Sequence, residues 1–324
     1  MMHIKILSKG ILLSFILGAL AWFVAPFIPK MNEILLGLIL GIIVSNLIKI
    51  PSSFNDGISF TGSKLLEISI LFLAFSINLS HIAELGWQTF LVVLVVVFAI
   101  LMLTLWLSKK MNCPGSTGWL IGFGTAICGS SAIAALAPSV AKNKEDVGIA
   151  MAVINLFGIV GMITFPAILP LIDWSVHEMG LIIGGTLHSV GNVAGAGYAM
   201  SKEVGDAAIT VKLARVALLS PALIFFNYVH QQGTVKNWKE HFKLPWYLWA
   251  FIGISVLVTF IPLPAEIIKA LETIGKVVLT VAMAAIGLKV KFSTLYQSGK
   301  KGMLFGFFIF VLQILLIISW MMII

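Results

Sequence analysis

The stretch that decides the fold reads TGWLIGFGTAICGSSAIAALAP, from Thr117 to Pro138. It is as apolar as a membrane helix, yet Cys128, Gly129, Ser130 and Ser131 interrupt its centre. A backbone inside a bilayer must satisfy its own hydrogen bonds, so such an interruption is tolerated only where protein or a water-filled cavity surrounds it. In transporters these breaks bind ligands, because freed amides and helix ends point at the substrate. The alternative is an unbroken helix whose small residues form a packing seam for a neighbour.

The composition around this stretch is that of a helical membrane protein. Of 324 residues, 60% are hydrophobic and 10% are charged, and the mean hydropathy is +1.07. Apolar runs of about 20 residues, long enough to span a bilayer, recur along the chain. The first, Ile11 to Ile28, has no small-residue cleavage site after it and is interpreted as a retained helix. The chain is therefore predicted to be a multi-pass protein of the plasma or inner membrane.

The apolar runs predict an all-α fold of about eleven transmembrane helices within one polytopic domain, residues 1–324. The predicted spans are 11–28, 32–48, 60–78, 86–108, 117–141, 147–170, 178–200, 205–229, 246–262, 265–288 and 302–323. The formal net charge of +8 comes from lysines in the short connections. We therefore expect this charge to orient the chain in the lipid bilayer, and we expect no nucleic-acid partner.

The lysines predict a cytoplasmic N-terminus and an outward-facing C-terminus, because cytoplasmic loops are enriched in basic residues. On this orientation thirteen lysines face the cytoplasm: Lys5, Lys9, Lys49, Lys64, Lys109, Lys110, Lys236, Lys239, Lys243, Lys289, Lys291, Lys300 and Lys301. The six on the other side are Lys30, Lys142, Lys144, Lys202, Lys269 and Lys276.

Two weak internal similarities suggest an inverted repeat. Leu65 to Ile82 and Ile274 to Lys291 share an amphipathic start, a small-residue centre and a polar exit. Thr117 to Pro138 and Gly184 to Tyr198 form a second pair, both broken by glycine. If the paired spans run in opposite directions, the fold is an inverted-repeat transporter with two crossed discontinuous helices and a site at the midplane.

Gly184 to Tyr198 contains a histidine deep inside a predicted span. His188 and Asn192 are four residues apart and therefore share a helix face. An ionisable group at this depth is costly unless it is paired or faces water, which favours a functional role. His188 is a candidate for binding an anion or relaying a proton. The alternative is a neutral His188 hydrogen-bonded to the next helix.

The next span carries Lys212 and Arg215, the only arginine of the chain, on one side of a helix. Arg215 is followed by apolar residues and cannot easily reach the membrane surface, so it is expected to face a partner or a cavity. Its guanidinium suits bidentate recognition of an oxyanion. The alternative is an ion pair with Asp206, Glu203 or another carboxylate. Lys212 is interpreted as structural or as a contributor to the positive field.

Three motifs together resemble the YeiH-type sulfate exporter family, and the similarity of order, spacing and hydropathy covers essentially the whole chain. They are GTAICGSSAIAALAP from Gly124 to Pro138, GTLHSVGNVAGAG from Gly185 to Gly197, and KLARV from Lys212 to Val216. The second motif departs from the HEVAQV pattern of the family, because Ser189, Gly191 and Asn192 replace Glu, Ala and Gln. The departure weighs against any role that requires a carboxylate there.

The resemblance implies a fold distantly similar to bile-acid symporters and sodium/proton antiporters. It implies a core subdomain, about 60–230 with 265–323, beside a panel-like remainder. Carried over by position, the substrate-binding candidates are Gly129, Ser130, Ser131, His188, Asn192, Lys212 and Arg215.

These observations predict a secondary transporter that exports or exchanges a small anion, of the sulfate, sulfite or sulfonate class, by alternating access. The coupling ion would be H⁺ or Na⁺, and a homodimer is compatible with the sequence. The alternative in the same class is a cation or proton exchanger, or a coupled transporter of another organic anion. A membrane-embedded enzyme would have to use Cys128 and His188, and Cys128 reads better as a buried small hydrophobe. We expect no catalytic residue, metal or cofactor.

Overall fold

The computed structural model describes residues 2–28, 32–75, 86–111, 113, 115–142, 144–230, 246–261, 263–290 and 300–322, and these residues form helices and no β-strand. The α-helices are α1 (Met2–Val24), α2 (Glu33–Leu47), α3 (Asn55–Phe60), α4 (Leu66–Ala74), α5 (Gly86–Lys110), α6 (Gly115–Ala126), α7 (Ser130–Val140), α8 (Lys144–Ile168), α9 (Val176–Thr186), α10 (Val190–Met200), α11 (Lys202–Ala217), α12 (Leu219–His230), α13 (Trp246–Phe260), α14 (Ala265–Leu288) and α15 (Lys300–Met321).

Seven helical segments of the described chain are long and apolar enough to cross a membrane. They are Leu7–Phe27, Ser52–Ala74, Gln88–Lys110, Glu145–Leu171, Lys202–Phe226, Ala265–Leu288 and Lys300–Met321. Glu33–Leu47, Ser130–Val140 and Trp249–Phe260 are shorter apolar helices. Each of the eleven predicted spans overlaps helical structure, but the count of eleven crossings and the inverted repeat stay predictions.

Some of the sequence predictions fall outside the described residues. Parts of the first repeat pair lie outside the described residues, namely 76–82 and 291. The ends of three predicted spans lie outside as well, at 76–78, 262 and 323. The orientation also depends on lysines outside the described residues, namely Lys30, Lys236, Lys239, Lys243 and Lys291. The predicted orientation therefore stays a prediction.

The chain divides into two compact units, of which the first comprises Met1–Glu84 and Pro245–Phe292. Inside it α14 packs closely on α2, where a Cβ built on Gly41 or on Gly287 would lie 2.9 Å from the Cα of the other glycine. The α2 residues Ser45 and Asn46 donate to the carbonyl of Val290, at 2.7 and 2.8 Å, and so satisfy the end of α14. Small residues let membrane helices approach closely and gain van der Waals contact.

The second unit comprises Leu85–Leu244 and Ser293–Ile324 and contains α5 to α12 and α15. The first turn of α6 is tied to that of α8, because Asp146 accepts hydrogen bonds from Ser116 and Thr117 at 2.6 and 2.8 Å. Phe226 of α12 packs edge-on against Phe123 of α6, with ring centroids 5.5 Å apart. All seven candidate site residues lie in this unit. Residues 66–74 and 265–288, which the resemblance assigned to a core subdomain, lie in the first unit, and the division into core and panel stays a prediction.

Candidate functional site

Two helices of the second unit are interrupted at the positions that the glycine-rich motifs indicate. Helix α6 ends at Ala126 and α7 begins at Ser130, while α9 ends at Thr186 and α10 begins at Val190. The first break therefore covers 127–129, and Ser130 and Ser131, which the sequence placed within the break, form the first turn of α7. Each interruption exposes carbonyls at one helix end and amides at the next.

Gly129 makes the first break possible. Its φ of 73° and ψ of −127° fall in a region that residues with a Cβ rarely adopt. Its amide donates to the carbonyl of Gly124 at 2.8 Å, which turns the chain before α7 starts. A Cβ built there would lie 3.3 Å from the carbonyl carbon and oxygen of His188. The two breaks therefore meet at Gly129 and His188.

Lys212 of α11 joins the two breaks. Its ammonium donates to the carbonyl of Ile127 in the first break and to that of Leu187 in the second, each at 2.7 Å. The side chain is completely buried. Because both acceptors lie at the carboxyl ends of interrupted helices, the cation opposes the negative end of each helix dipole.

Arg215, one turn further along α11, binds the same two helix ends. Its Nε donates to Ala126 at 3.2 Å and its Nη2 to Thr125, both in the last turn of α6. Its Nη1 donates to Gly184 and Leu187, both at 3.0 Å. The guanidinium is 1% exposed and is held by backbone carbonyls, not by the carboxylates of Asp206 or Glu203. Asp206 accepts a hydrogen bond from Tyr198 at 2.7 Å.

Gln313 of α15 completes the set of donors, and the sequence analysis did not single it out. Its Nε2 donates to Thr125 at 3.3 Å and to Gly185 at 3.1 Å, and its side chain is fully buried. The sequence does indicate such a role, because a lone side-chain amide in an otherwise apolar span must find a hydrogen-bond partner inside the bundle. Its acceptors lie more than a hundred residues away in sequence, so the pattern within α15 could not identify them.

The amino ends of α7 and α10 differ from each other. Helix α10 is capped by its own sequence, since the Ser189 side chain accepts from the amide of Asn192 at 3.0 Å. The N-cap residue of α7 is Gly129, which has no side chain to cap the helix. Ser130 there donates to Asn155 of α8 at 3.1 Å, and both Ser131 and Asn155 are exposed. Among the described residues, the amino end of α7 therefore has no cap from its N-cap side chain, whereas that of α10 does.

His188 and Asn192 lie between the breaks and α8. A Cβ built on Gly158 of α8 would lie 3.7 Å from the Cβ of His188 and would collide with Nδ2 of Asn192, so glycine makes the space for both. The His188 ring packs on Phe310 of α15 with centroids 5.1 Å apart. It is 1% exposed, and neither ring nitrogen has a hydrogen-bond partner in the described part of the chain.

The structure thus brings the seven candidates to one region but not to one role. Gly129, Ser130 and Ser131 form the amino end of α7, and Lys212 and Arg215 bind the carboxyl ends of α6 and α9. His188 and Asn192 lie between the breaks and α8. Direct contact of Arg215 with a substrate stays a prediction. In the described residues the Cys128 thiol accepts from Ser131 at 3.1 Å, and no hydrogen bond joins it to His188.

Comparison with known proteins identifies the family. The family profile described as Conserved hypothetical protein 698 matches residues 9–306. A UPF0324 membrane protein of Lactobacillus johnsonii is 31% identical over 294 residues, which cover 87% of this chain and 85% of that protein. The UPF0324 inner membrane protein YeiH of Escherichia coli O6:H1 is 32% identical over 286 residues, covering 86% and 82%.

Among solved structures, the sodium proton antiporter MjNhaP1 of Methanocaldococcus jannaschii matches with a TM-score of 0.30 and 15% identity. The match covers 96% of this chain and 100% of that one. Similarity at this level supports no functional inference. The sequence matches are sufficient for the assignment: the chain belongs to the family of Conserved hypothetical protein 698, that of the UPF0324 membrane proteins and YeiH.

Proposed function

We propose that the protein is a secondary transporter of the cell membrane that exports or exchanges a small anion of the sulfate, sulfite or sulfonate class by alternating access. The observation that carries the proposal is the positive charge buried at the breaks. Lys212 and Arg215 bind only backbone carbonyls in the described residues. The ion pairs seen there, Lys64 with Glu67 and Lys276 with Glu272, include neither of them.

The local charges add up to an excess that an anion would neutralise. Each helix end carries about half a unit charge, so the carboxyl ends of α6 and α9 contribute about −1 and the amino ends of α7 and α10 about +1. With Lys212 and Arg215 both protonated, the sum is about +2. A buried excess of charge is costly without a counter-charge. An anion supplies that counter-charge, whereas a cationic substrate would add to the excess.

The amino end of α7 is the proposed contact point for the anion. Backbone amides at a helix start, together with the positive dipole end, bind anions without a charged side chain. The hydroxyls of Ser130 and Ser131 and the amide of Asn155 lie at this end, and Ser131 and Asn155 are exposed. The proposed roles of Lys212 and Arg215 are to hold the breaks together and to keep the local field positive.

Ser131→Asp tests the proposal without removing a structural contact to another helix. An aspartate in the first turn is expected to stabilise α7, because negative charge interacts favourably with the amino end of a helix. The same carboxylate would repel an anion: at about 5 Å and an effective dielectric constant of about 20, two like charges repel by about 3 kcal/mol. Ser131→Asn is the matched control, since it has nearly the same shape and no charge.

The measurement is the thermal stability of purified protein with sulfate, sulfite, methanesulfonate, acetate or Na⁺, followed by counterflow of the stabilising anion in proteoliposomes. A ligand that binds only the folded state raises its stability. We expect an anion to stabilise wild type and Ser131→Asn, and Ser131→Asp to weaken its binding at least tenfold. Equal binding by the two variants would refute the α7 site, and stabilisation by Na⁺ alone would refute the anion class.

A further inference from the structure

Six carbonyls at the carboxyl ends of α6 and α9 accept hydrogen bonds from cationic or amide side chains. In transporters with broken helices, unwound carbonyls and helix carboxyl ends coordinate the coupling Na⁺. Here the ammonium of Lys212 takes the carbonyls of Ile127 and Leu187, each at 2.7 Å. Arg215 and Gln313 take the carbonyls of the preceding turns, those of Thr125, Ala126, Gly184 and Gly185. Sodium would have to displace a buried, tethered cation from these oxygens.

His188 is a buried polar side chain between the breaks that makes no hydrogen bond in the described chain. Gln313 also has a buried Oε1 without a partner there, but its Nε2 is bound to Thr125 and Gly185. Both ring nitrogens of His188 are buried without a partner in the described chain. Leaving such a group unsatisfied is costly, and an unsatisfied buried group in a native structure calls for an explanation. Its backbone lies against Gly129, the residue before α7. The His188 backbone is therefore next to the proposed anion site, and its ring nitrogens are engaged in no hydrogen bond within the described chain.

Two buried cations lie beside His188. Lys212 and Arg215 of α11 both donate to the carbonyl of Leu187, the residue before it. The facing break contributes the Cys128 thiol, which is bonded to Ser131. Helices α8 and α15 present Gly158 and Phe310, and neither residue titrates. An anion at the amino end of α7 would offset the two cations and so lower the free energy of the imidazolium.

Resting on the proposed function, we propose that His188 carries a coupling proton and that one proton is bound together with each anion, with no requirement for Na⁺. The imidazole accepts one proton from water on the side where the site is open, and returns it to water after the anion leaves. No covalent bond changes. Because binding free energies are linked reciprocally, the anion raises the affinity for the proton and the proton raises the affinity for the anion by the same factor.

Proton uptake on anion binding tests the inference directly. Sulfate and methanesulfonate are the probes, since neither titrates near neutral pH, and a pH indicator in weakly buffered detergent solution reports protons taken up per anion bound. His188→Gln removes the titrating group. His177→Gln is the matched control: His177 lies at the start of α9, is only half-buried, and has Thr89 within 3.3 Å of its Nε2.

We expect wild type and His177→Gln to take up about one proton per anion, and their apparent Kd to rise about tenfold per pH unit above neutrality. In His188→Gln we expect anion binding to persist, with no proton uptake and a flat pH profile. Proton uptake that survives in His188→Gln, or binding that requires Na⁺, would overturn the inference and leave the anion site intact. Wild type that binds neither probe would overturn the inference and the proposed anion class together.

Discussion

Gly129→Ala is the sharpest test of the broken helix, because the backbone angles of this residue define the break. At φ 73° and ψ −127° an alanine would be strained by about 1–3 kcal/mol. Its Cβ would also lie 3.3 Å from the backbone of His188 and from Cγ2 of Ile154, and relieving such overpacking costs about 1 kcal/mol. Alanine also lowers the conformational entropy of the unfolded chain, which stabilises the folded state by about 0.4–1 kcal/mol. We expect a net loss of about 2 kcal/mol.

Gly148→Ala is the matched control. Gly148 lies within α8, and a Cβ there would meet nothing within 4 Å. Alanine in a helix interior is favoured over glycine by about 0.5–1 kcal/mol, so this variant is expected to be as stable as wild type or more so. The two variants should therefore differ by about 3 kcal/mol in free energy of unfolding.

The assay is reversible unfolding in mixed micelles with increasing sodium dodecyl sulfate, followed by helical circular dichroism. Stabilisation by sulfate is measured on the same samples. We expect Gly129→Ala to lose the sulfate effect as well, since the start of α7 moves. If Gly129→Ala unfolds within about 0.5 kcal/mol of Gly148→Ala, the range of ordinary surface substitutions, then the chain does not require this backbone conformation and the description of the break is wrong.

Two further predictions concern Asp146, which ties α8 to α6, and Cys113, which lies between α5 and α6. Asp146→Asn removes a carboxylate that accepts from Ser116, Thr117 and the Lys142 amide, and should cost about 1–3 kcal/mol in the same unfolding assay. Its neighbour Glu145 is exposed, and Glu145→Gln should change stability by less than about 0.5 kcal/mol; equal effects would contradict the proposed tie. Burial raises the pKa of the Cys113 thiol to about 11, with Asp146 also raising it and Lys301 opposing the shift. In a Cys128→Ala background, alkylation of Cys113 near pH 8 should be about a hundredfold slower than that of an ordinary thiol, and it should accelerate as the pH rises. Mass spectrometry measures the rate. Labelling of Cys113 at the rate of an ordinary thiol would contradict the raised pKa.

The positions of the helices could be predicted because hydropathy acts over whole segments. The two interruptions could also be predicted, since glycine and serine cluster where the spans would otherwise be uniformly apolar. The first break was predicted at 128–131 and lies at 127–129, so the predicted break starts one residue and ends two residues too late. Serine favours the first turn of a helix, and the positive φ belongs to Gly129, so Ser130 and Ser131 start α7 instead of interrupting it.

The partners of the buried cations could not be predicted from the sequence. Spacing puts Lys212 and Arg215 on one side of α11, but which helices face that side is decided by tertiary packing. A guanidinium near a broken helix suits an anion and backbone carbonyls equally well, since it offers donors to both. Gln313 illustrates the same limit, because its two acceptors belong to helices from a distant part of the chain.

The contacts of the two cations decide which variants are informative about transport. Loss of anion binding in Arg215→Gln would follow both from direct coordination and from loss of the donors that hold α6 to α9, so it does not separate the two roles. Ser131→Asp does separate them, because it leaves every contact of Lys212 and Arg215 in place. It adds a charge at the amino end of α7 and removes the local Ser131 bonds to Cys128, which Ser131→Asn removes as well. If it abolishes binding while unfolding stability is kept, the anion sits at the helix start and the cations act through their field. If binding survives, the anion must lie elsewhere, and the carbonyl contacts of Arg215 would have to rearrange to reach it.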